Sequence, residues 1–334
     1  MNDSSLDILL SSLRSRPIVT IAFSCLCGIG LIANCLIVAV IAYRRNYRTS
    51  TYILIASIAT SDALCCAGLI AYNVTSIFLL YPNNMTTLEK ETFCDVTGVS
   101  IYTNYYVSTH TLVIMSVDRY YAFVKIPYKA LLYTKRRIFL AIALAWIFGF
   151  LVAFPQIFIS GIDPSFPYIC DAVDGHSIVG EVYYSCVVVA EEILPALLII
   201  YAYVHVIKAI KESSSIMRNA SENHMSKRNM HKRQLAVKKI IVVTTVFLVL
   251  TAIIHITRLM VSLTDATVIN LYMKREFTLA AIVNVFYAIA FIQPIVNPIM
   301  FCIMSKSFRK KIFRLEKRNQ SMTRHISMTY ITNN

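Results

Sequence analysis

Residues 18–43 read IVTIAFSCLCGIGLIANCLIVAVIAY, a stretch without a single Asp, Glu, Lys or Arg. A helix needs about 20 such residues to cross the hydrocarbon core of a bilayer, where its own backbone must satisfy every N–H and C=O. Six further apolar stretches follow outward from it, at roughly 52–79, 95–123, 136–159, 182–207, 237–263 and 277–303. Together they use most of the 334 residues. The longest joining segment is a basic run at about 208–236, so no separate soluble domain or enzyme module fits, and no internal repeat of the transporter kind is visible. With 57% hydrophobic residues, 15% charged residues and a mean hydropathy of +0.61, the chain is too apolar to cover a soluble surface with charge. The fold class is therefore an all-α membrane protein, a bundle of seven transmembrane helices over 18–303.

The formal charge of +14 would suit nucleic acid, but its distribution follows the membrane instead. Segments after the first, third, fifth and seventh spans are basic: Arg44, Arg45 and Arg48; Lys125 to Arg137; Lys208 to Lys239; Lys306 to Arg318. The opposite segments carry Asp3, Asp7, Glu89, Glu91, Asp95, Asp163, Asp171, Asp174 and Glu181. By the positive-inside rule the amino terminus (1–17) is extracellular and the carboxyl tail (317–334) cytoplasmic, with the first span serving as signal anchor. Sequons at Asn2 and Asn84 lie on the outer side and suit glycosylation; Asn73 is too deep, and Asn219 and Asn319 face the cytoplasm. Of nine cysteines, Cys94 and Cys170 alone fall at the outer surface. A bridge between them would tie the second outer loop to the top of the third span.

A charge at the bilayer centre costs on the order of 3 kcal/mol, so each needs a partner or a purpose. Asp62 sits mid-span in the second stretch, Asn34 in the first, and Asn297-Pro298 interrupts the seventh. Asn104 and Ser108 are one helical turn apart and share a face. These groups can form an inward polar cluster that holds a sodium ion or waters, or serve as interhelical glue without an ion. Asp118-Arg119-Tyr120 closes the third span, with Arg119 standing 25 residues after Cys94. An arginine at that border can pair with its neighbouring aspartate in one state and reach into an opened cavity in another.

This register resembles the rhodopsin-like class of G-protein-coupled receptors across nearly the whole chain. It is carried by Asn34, Asp62, Cys94, Asp118-Arg119-Tyr120, Trp146, Pro195, Tyr203, Phe247 and Asn297-Pro298. The segment 304–316, with its Ser305 to Arg314 stretch, is similar to the short amphipathic membrane-surface helix of that class. The resemblance implies that an outer ligand shifts the bundle, that the sixth helix swings out, and that a heterotrimeric G protein binds near Arg119. Asp118, Arg119, Tyr120, Tyr203, Asn297, Pro298 and Phe301 are then the switch positions. Arg318 before Ser321 and Arg324 before Ser327 match basic-directed kinase sites, which suits receptor kinases and arrestin. Membrane lipids are the remaining partner, and no nucleic acid is implied.

For the ligand, the resemblance points to Ile101, Tyr105, Glu191, His255, Arg258 and Phe291. Amine receptors of the class carry an aspartate where Ile101 stands, and opsins carry the retinal lysine where Phe291 stands. A biogenic amine and a retinal Schiff base are both disfavoured, leaving an extracellular small molecule or short peptide. Glu191 and Glu192 precede Pro195 in the fifth span; helical neighbours point about 100° apart, so one of the two faces the bundle. Glu191 would meet a cationic ligand, form a proton-sensitive pair with His255, or bridge internally to His255 or Arg258. His110, Tyr102 and Tyr106 read as packing residues, while Tyr105 lines the pocket. Two other classes fit less of the pattern. A polytopic or proton-linked carrier would use Asp62, Glu191 and His255, and a decoy receptor would bind without signalling. No nucleophile–base pair, metal-ligand set or phosphate loop indicates an enzyme.

The chain departs from the family pattern in the sixth and seventh spans. Leu250-Thr251-Ala252-Ile253 stands where Cys-Trp-x-Pro is usual, so no proline breaks the backbone ladder there. The Asn-Pro-x-x-Tyr pattern ends in Phe301, and Arg233 replaces the acid that restrains the Arg119 position. A loosely held inactive state is expected. In transfected cells, agonist-free G-protein signalling should exceed that of mock-transfected cells, and signalling at the mock level would contradict this reading.

Overall fold

The computed structural model describes residues 17–43, 49–79, 85–124, 135–162, 170–172, 174–219 and 224–304. Every extended element among them is helical, apart from one isolated antiparallel bridge between Gly161 and Asp171. Helix α1 covers Pro17–Tyr43, α2 Ser50–Leu79, α3 Thr87–Phe123 and α4 Lys135–Ala153, the last tightening into a 3-10 turn at Phe154–Phe158. Helix α5 is built from Ile178–Val188, a π turn at Val189–Ile193 and Leu194–Asn219. Then come α6 (His224–Thr264), a short α7 (Val268–Met273), α8 (Phe277–Ala290) and α9 (Gln293–Met304). The sequons at Asn2 and Asn84, the amphipathic stretch 304–316 beyond its first residue, the tail and the Arg233 side chain lie outside the described residues.

Among the described residues, six helical stretches are long and apolar enough to span a membrane: Thr20–Tyr43, Ser50–Leu79, Arg136–Phe158, Ile178–Ser213, Ile240–Thr264 and Phe277–Phe301. Seven were expected. The missing one is α3, which has ample length at 37 residues but carries Thr97, Thr103, Asn104, Ser108, Thr109, Thr111 and Ser116, all buried. Its position explains its polarity. It packs against α2, α4 and α5 and faces protein rather than lipid, where a hydroxyl can bond to a neighbour or to its own i−4 carbonyl. Its N-terminus is fixed by a capping box. The Thr86 hydroxyl accepts from the Glu89 N–H, and the Thr86 N–H donates back to the Glu89 carboxylate, holding that carboxyl below the usual range.

Prolines and small residues set the remaining contacts. Pro298 has no N–H, which orphans the carbonyl of Pro294 four residues back. Asn34 Nδ2 of α1 donates to that carbonyl at 2.8 Å, so a buried side chain completes the broken ladder. Gly30 lets α1 approach, since a Cβ there would lie 3.0 Å from Cys66 Sγ and 3.1 Å from Ile295. Helix α4 presents Ala145, Gly149 and Ala153 at four-residue spacing as its buried stripe. A Cβ on Gly149 would sit 3.2 Å from the Thr103 carbonyl and 3.3 Å from the Val107 nitrogen, both backbone atoms of α3. Helices without a hydrophobic drive between them depend on such close approach. Gly149→Leu is therefore expected to cost about 1–3 kcal/mol or more, read as a lower melting temperature and reduced surface expression, whereas Gly28→Leu, where a Cβ meets nothing within 4 Å, should be tolerated.

Candidate functional site

In the half of the bundle that carries the disulfide, side chains from several elements converge on Arg258 of α6. Its guanidinium lies 3.7 Å from the centre of the Tyr102 ring and 4.6 Å from that of Tyr184. It donates to the Gln156 side chain, to the Tyr184 hydroxyl at 3.3 Å and to the Tyr106 hydroxyl at 3.4 Å. The residue is 4% exposed, and no carboxylate pairs with it among the described residues. Tyr102 and Tyr106, read from the sequence as packing, are thus two of three tyrosines that surround a cation. Gln156 and Tyr184 were missed. The one signal for Gln156 was an amide inside an otherwise apolar span, just after a proline.

One turn inward on α6, His255 lies 3.3 Å from Glu192 and is edge-on to Tyr105 at 6.2 Å. The two adjacent glutamates of α5 both turn inward, against the expectation that one would. Pro195 cannot donate to the Glu191 carbonyl, and the backbone there widens so that the Leu194 N–H reaches the Val189 carbonyl. That wide turn changes the angle between successive side chains. Glu191 is completely buried and faces His110 of α3 at 3.3 Å, and Glu192 takes the place beside His255 that was one of the alternatives for Glu191. Phe291 contacts Tyr102 and Tyr105. Ile101 is pressed onto α2, where a Cβ on Gly68 would lie 2.9 Å away, in the cluster of Cys27, Cys65, Cys66 and Leu69.

The described residues around Cys170 and Gly175 are braced against the bundle. Cys94 and Cys170 form a disulfide with a Cα–Cα distance of 5.7 Å. The next residue, Asp171, accepts from the Ile269 N–H at 2.8 Å and so caps the first turn of α7. Burial nonetheless pushes its carboxyl above the usual range. His176 reaches the Ser262 carbonyl at 2.7 Å, and Ser262 donates to the Gly175 carbonyl, fastening the same loop to α6.

At mid-depth, the Asp62 carboxylate accepts from Ser108 at 2.9 Å and from Asn297 Nδ2 at 2.7 Å, joining α2, α3 and α9. Asn104 does not join this network by a hydrogen bond. Its amide turns back to the Ser100 carbonyl, leaving Asn104 Oδ1 buried without a protein partner, as are both polar atoms of Gln293. At the end of the bundle opposite the disulfide, Arg119 donates to Asp118 and Thr51, and Tyr120 packs against Tyr121, Tyr201 and His205. The Tyr203 hydroxyl lies 3.2 Å from that of Thr244 on α6, while Phe301 and Phe247 fill the apolar core beneath it.

Sequence comparison accords with this layout. The family described as 7 transmembrane receptor (rhodopsin family) matches residues 33–301. The allatostatin-A receptor of Bombyx mori is 25% identical over 318 residues, covering 90% of this chain and 80% of that receptor. The neuropeptide Y receptor type 2 of Homo sapiens is 26% identical over 331 residues, covering 94% and 81%. Neuropeptide receptor 22 of Caenorhabditis elegans is 27% identical over 229 residues, 66% of this chain and 51% of that receptor.

Replacing Asp62 by Ala removes both bonds that hold α3 and α9 to α2 and strands the Asn297 amide in an apolar interior. The expected loss is about 1–3 kcal/mol, measured as a lower melting temperature in detergent, with Asp62→Asn retaining more of the stability. Equal melting of Asp62→Ala and the native chain would remove this cluster's structural role.

Proposed function

The chain belongs to the rhodopsin family of seven-transmembrane receptors, and we propose that the signal it carries to heterotrimeric G proteins is a peptide with an acidic group that docks at Arg258. In this reading α3 is the central span, the amino terminus faces outward and the basic segments lie in the cytoplasm. Relatives named for neuropeptides support the peptide class. The observation that carries the reading is the cation itself. A buried guanidinium held by neutral groups alone is expensive unless something supplies the missing charge. The tyrosine cage offers flat, amphipathic surface around it, the usual composition of a recognition hot spot.

Inside the bundle the proposed signal path is short. Arg258 and His255 lie on the same helix as Thr244, which meets Tyr203 above the Arg119–Asp118 pair. Ligand contacts that differ between two arrangements of α6 would bias which one is populated, and nothing else can. At mid-depth, the Asp62 carboxylate, the Ser108 hydroxyl and the unpartnered Asn104 Oδ1 make an all-oxygen donor set that fits a sodium ion. The ion would weight the arrangement in which those groups converge. Receptor kinases and arrestin acting on the tail belong to the same proposal.

The test is G-protein activation in transfected cells, screened across G-protein families with synthetic peptide pools rich in acidic residues and with matched neutral pools. The acidic pools should activate. Arg258→Leu should raise the half-maximal concentration about thirtyfold or more at unchanged surface expression, and Arg119→Ala should alter coupling. An undiminished response in Arg258→Leu would overturn the docking site. Silence of the native chain towards every G protein would favour a decoy receptor.

A further inference from the structure

Arg258 is held by groups that leave its charge uncancelled, and one of them is an amide where an acid would fit. Gln156 sits in the 3-10 turn Phe154–Phe158, directly after Pro155, and is 2% exposed. Its Oε1 accepts from Arg258, which can only donate, so the amide nitrogen must face the other way. There Nε2 donates to Ser160 Oγ and, at 3.3 Å, to the Tyr184 hydroxyl, which accepts from Arg258 as well. Gly98 of α3 lies against the stem, where an added Cβ would stand 3.9 Å from Gln156 Cγ. The amide is thus bonded at both ends and contributes no charge. The acids described in this half of the bundle are committed elsewhere: Glu191 faces His110, Glu192 faces His255, and Asp171 accepts from the Ala172 and Ile269 N–H groups.

Glutamate has the length and shape of glutamine, with an oxygen in place of the amide nitrogen. The substitution Gln156→Glu would put a carboxylate in hydrogen-bond contact with the guanidinium and close the cation's charge inside the wall. An acidic ligand would then gain little from Arg258, while a neutral one would lose nothing. Discrimination is a difference between two affinities, so a residue that fixes the charge of the site sets it without touching the ligand. Building on the docking proposed above, we infer that Gln156 is a specificity-determining residue. Its amide orients Arg258 and keeps that charge unneutralised, and this selects ligands that bring a carboxylate over those that bring a neutral amide.

Two measurements on the full chain test this role. The first is melting in detergent and needs no ligand. Gln156→Glu should melt at or above the native temperature, because its carboxylate meets a cation. Added to Arg258→Gln, where that cation is gone, the same change should lower the melting temperature by about 4 °C or more. The second is G-protein activation by acidic peptide pools and by the same pools with every carboxyl amidated, at equal surface expression. Gln156→Glu should reduce the preference for the acidic pools about tenfold or more, while Gln156→Met, similar in length and uncharged, should keep it. Equal melting shifts in the two backgrounds, an undiminished acid preference in Gln156→Glu, or an equal loss of preference in Gln156→Met overturns the role of Gln156. Docking at Arg258 fails separately, through a full response in Arg258→Leu. Silence of the native chain towards both sets of pools overturns both.

Discussion

A polar group buried in this bundle has no water to fall back on, and the contacts between helices follow from that constraint. Its sharpest expression is the carboxylate of Asp62. Two oxygens need donors, Ser108 and Asn297 supply them, and three helices are thereby fixed in register. A second instance is the carbonyl of Pro294, orphaned by Pro298 and recovered by Asn34 from α1. Neither arrangement stabilises by much per bond. Both specify, because every alternative register would leave one of these groups unpaired.

The outer half obeys the same constraint with less complete success. Glu191 and His110 face each other at 3.3 Å with Glu191 fully buried, and Arg258 finds dipoles and ring faces in place of a countercharge. The inner half is close to satisfied through Arg119, Asp118 and Thr51. The two ends of the bundle are thus unequal, with less completely paired charge around Arg258 and Glu191 and a close pair at Arg119 and Asp118.

The architecture was legible in the sequence because lipid imposes a length and a polarity on each span, and residues 18–43 state both without ambiguity. Asp62 with Ser108 and Asn297 was legible too, since a charge in hydrocarbon demands named partners. Helix α3 was read as a span at 95–123, but its buried hydroxyls and Asn104 leave it outside the six helices apolar enough to cross a membrane. The pairing of Glu191 with His110, and of Glu192 with His255, was not legible, because a regular 100° turn was assumed where Pro195 forces a π turn. The cage around Arg258 was hidden for a related reason. Tyr102, Gln156 and Tyr184 come from three elements, and no spacing along the chain records that they meet.

Helix α6 runs unbroken from His224 to Thr264, with Ile253 keeping the N–H that a proline would remove. A helix without a hinge behaves as a rod. Its contact with α5 at Thr244 and Tyr203 lies about 21 Å from Arg258 and about 30 Å from His224 along the axis, at 1.5 Å per residue. A tilt about that point carries any displacement at the tyrosine cage to the opposite side of the inner surface, enlarged by about two-fifths. In receptors with a flexible sixth helix, part of such a motion is absorbed by bending. In the proposed signal path the unbroken backbone of α6 is the transmission, and its stiffness sets how small a movement at one end reaches the other.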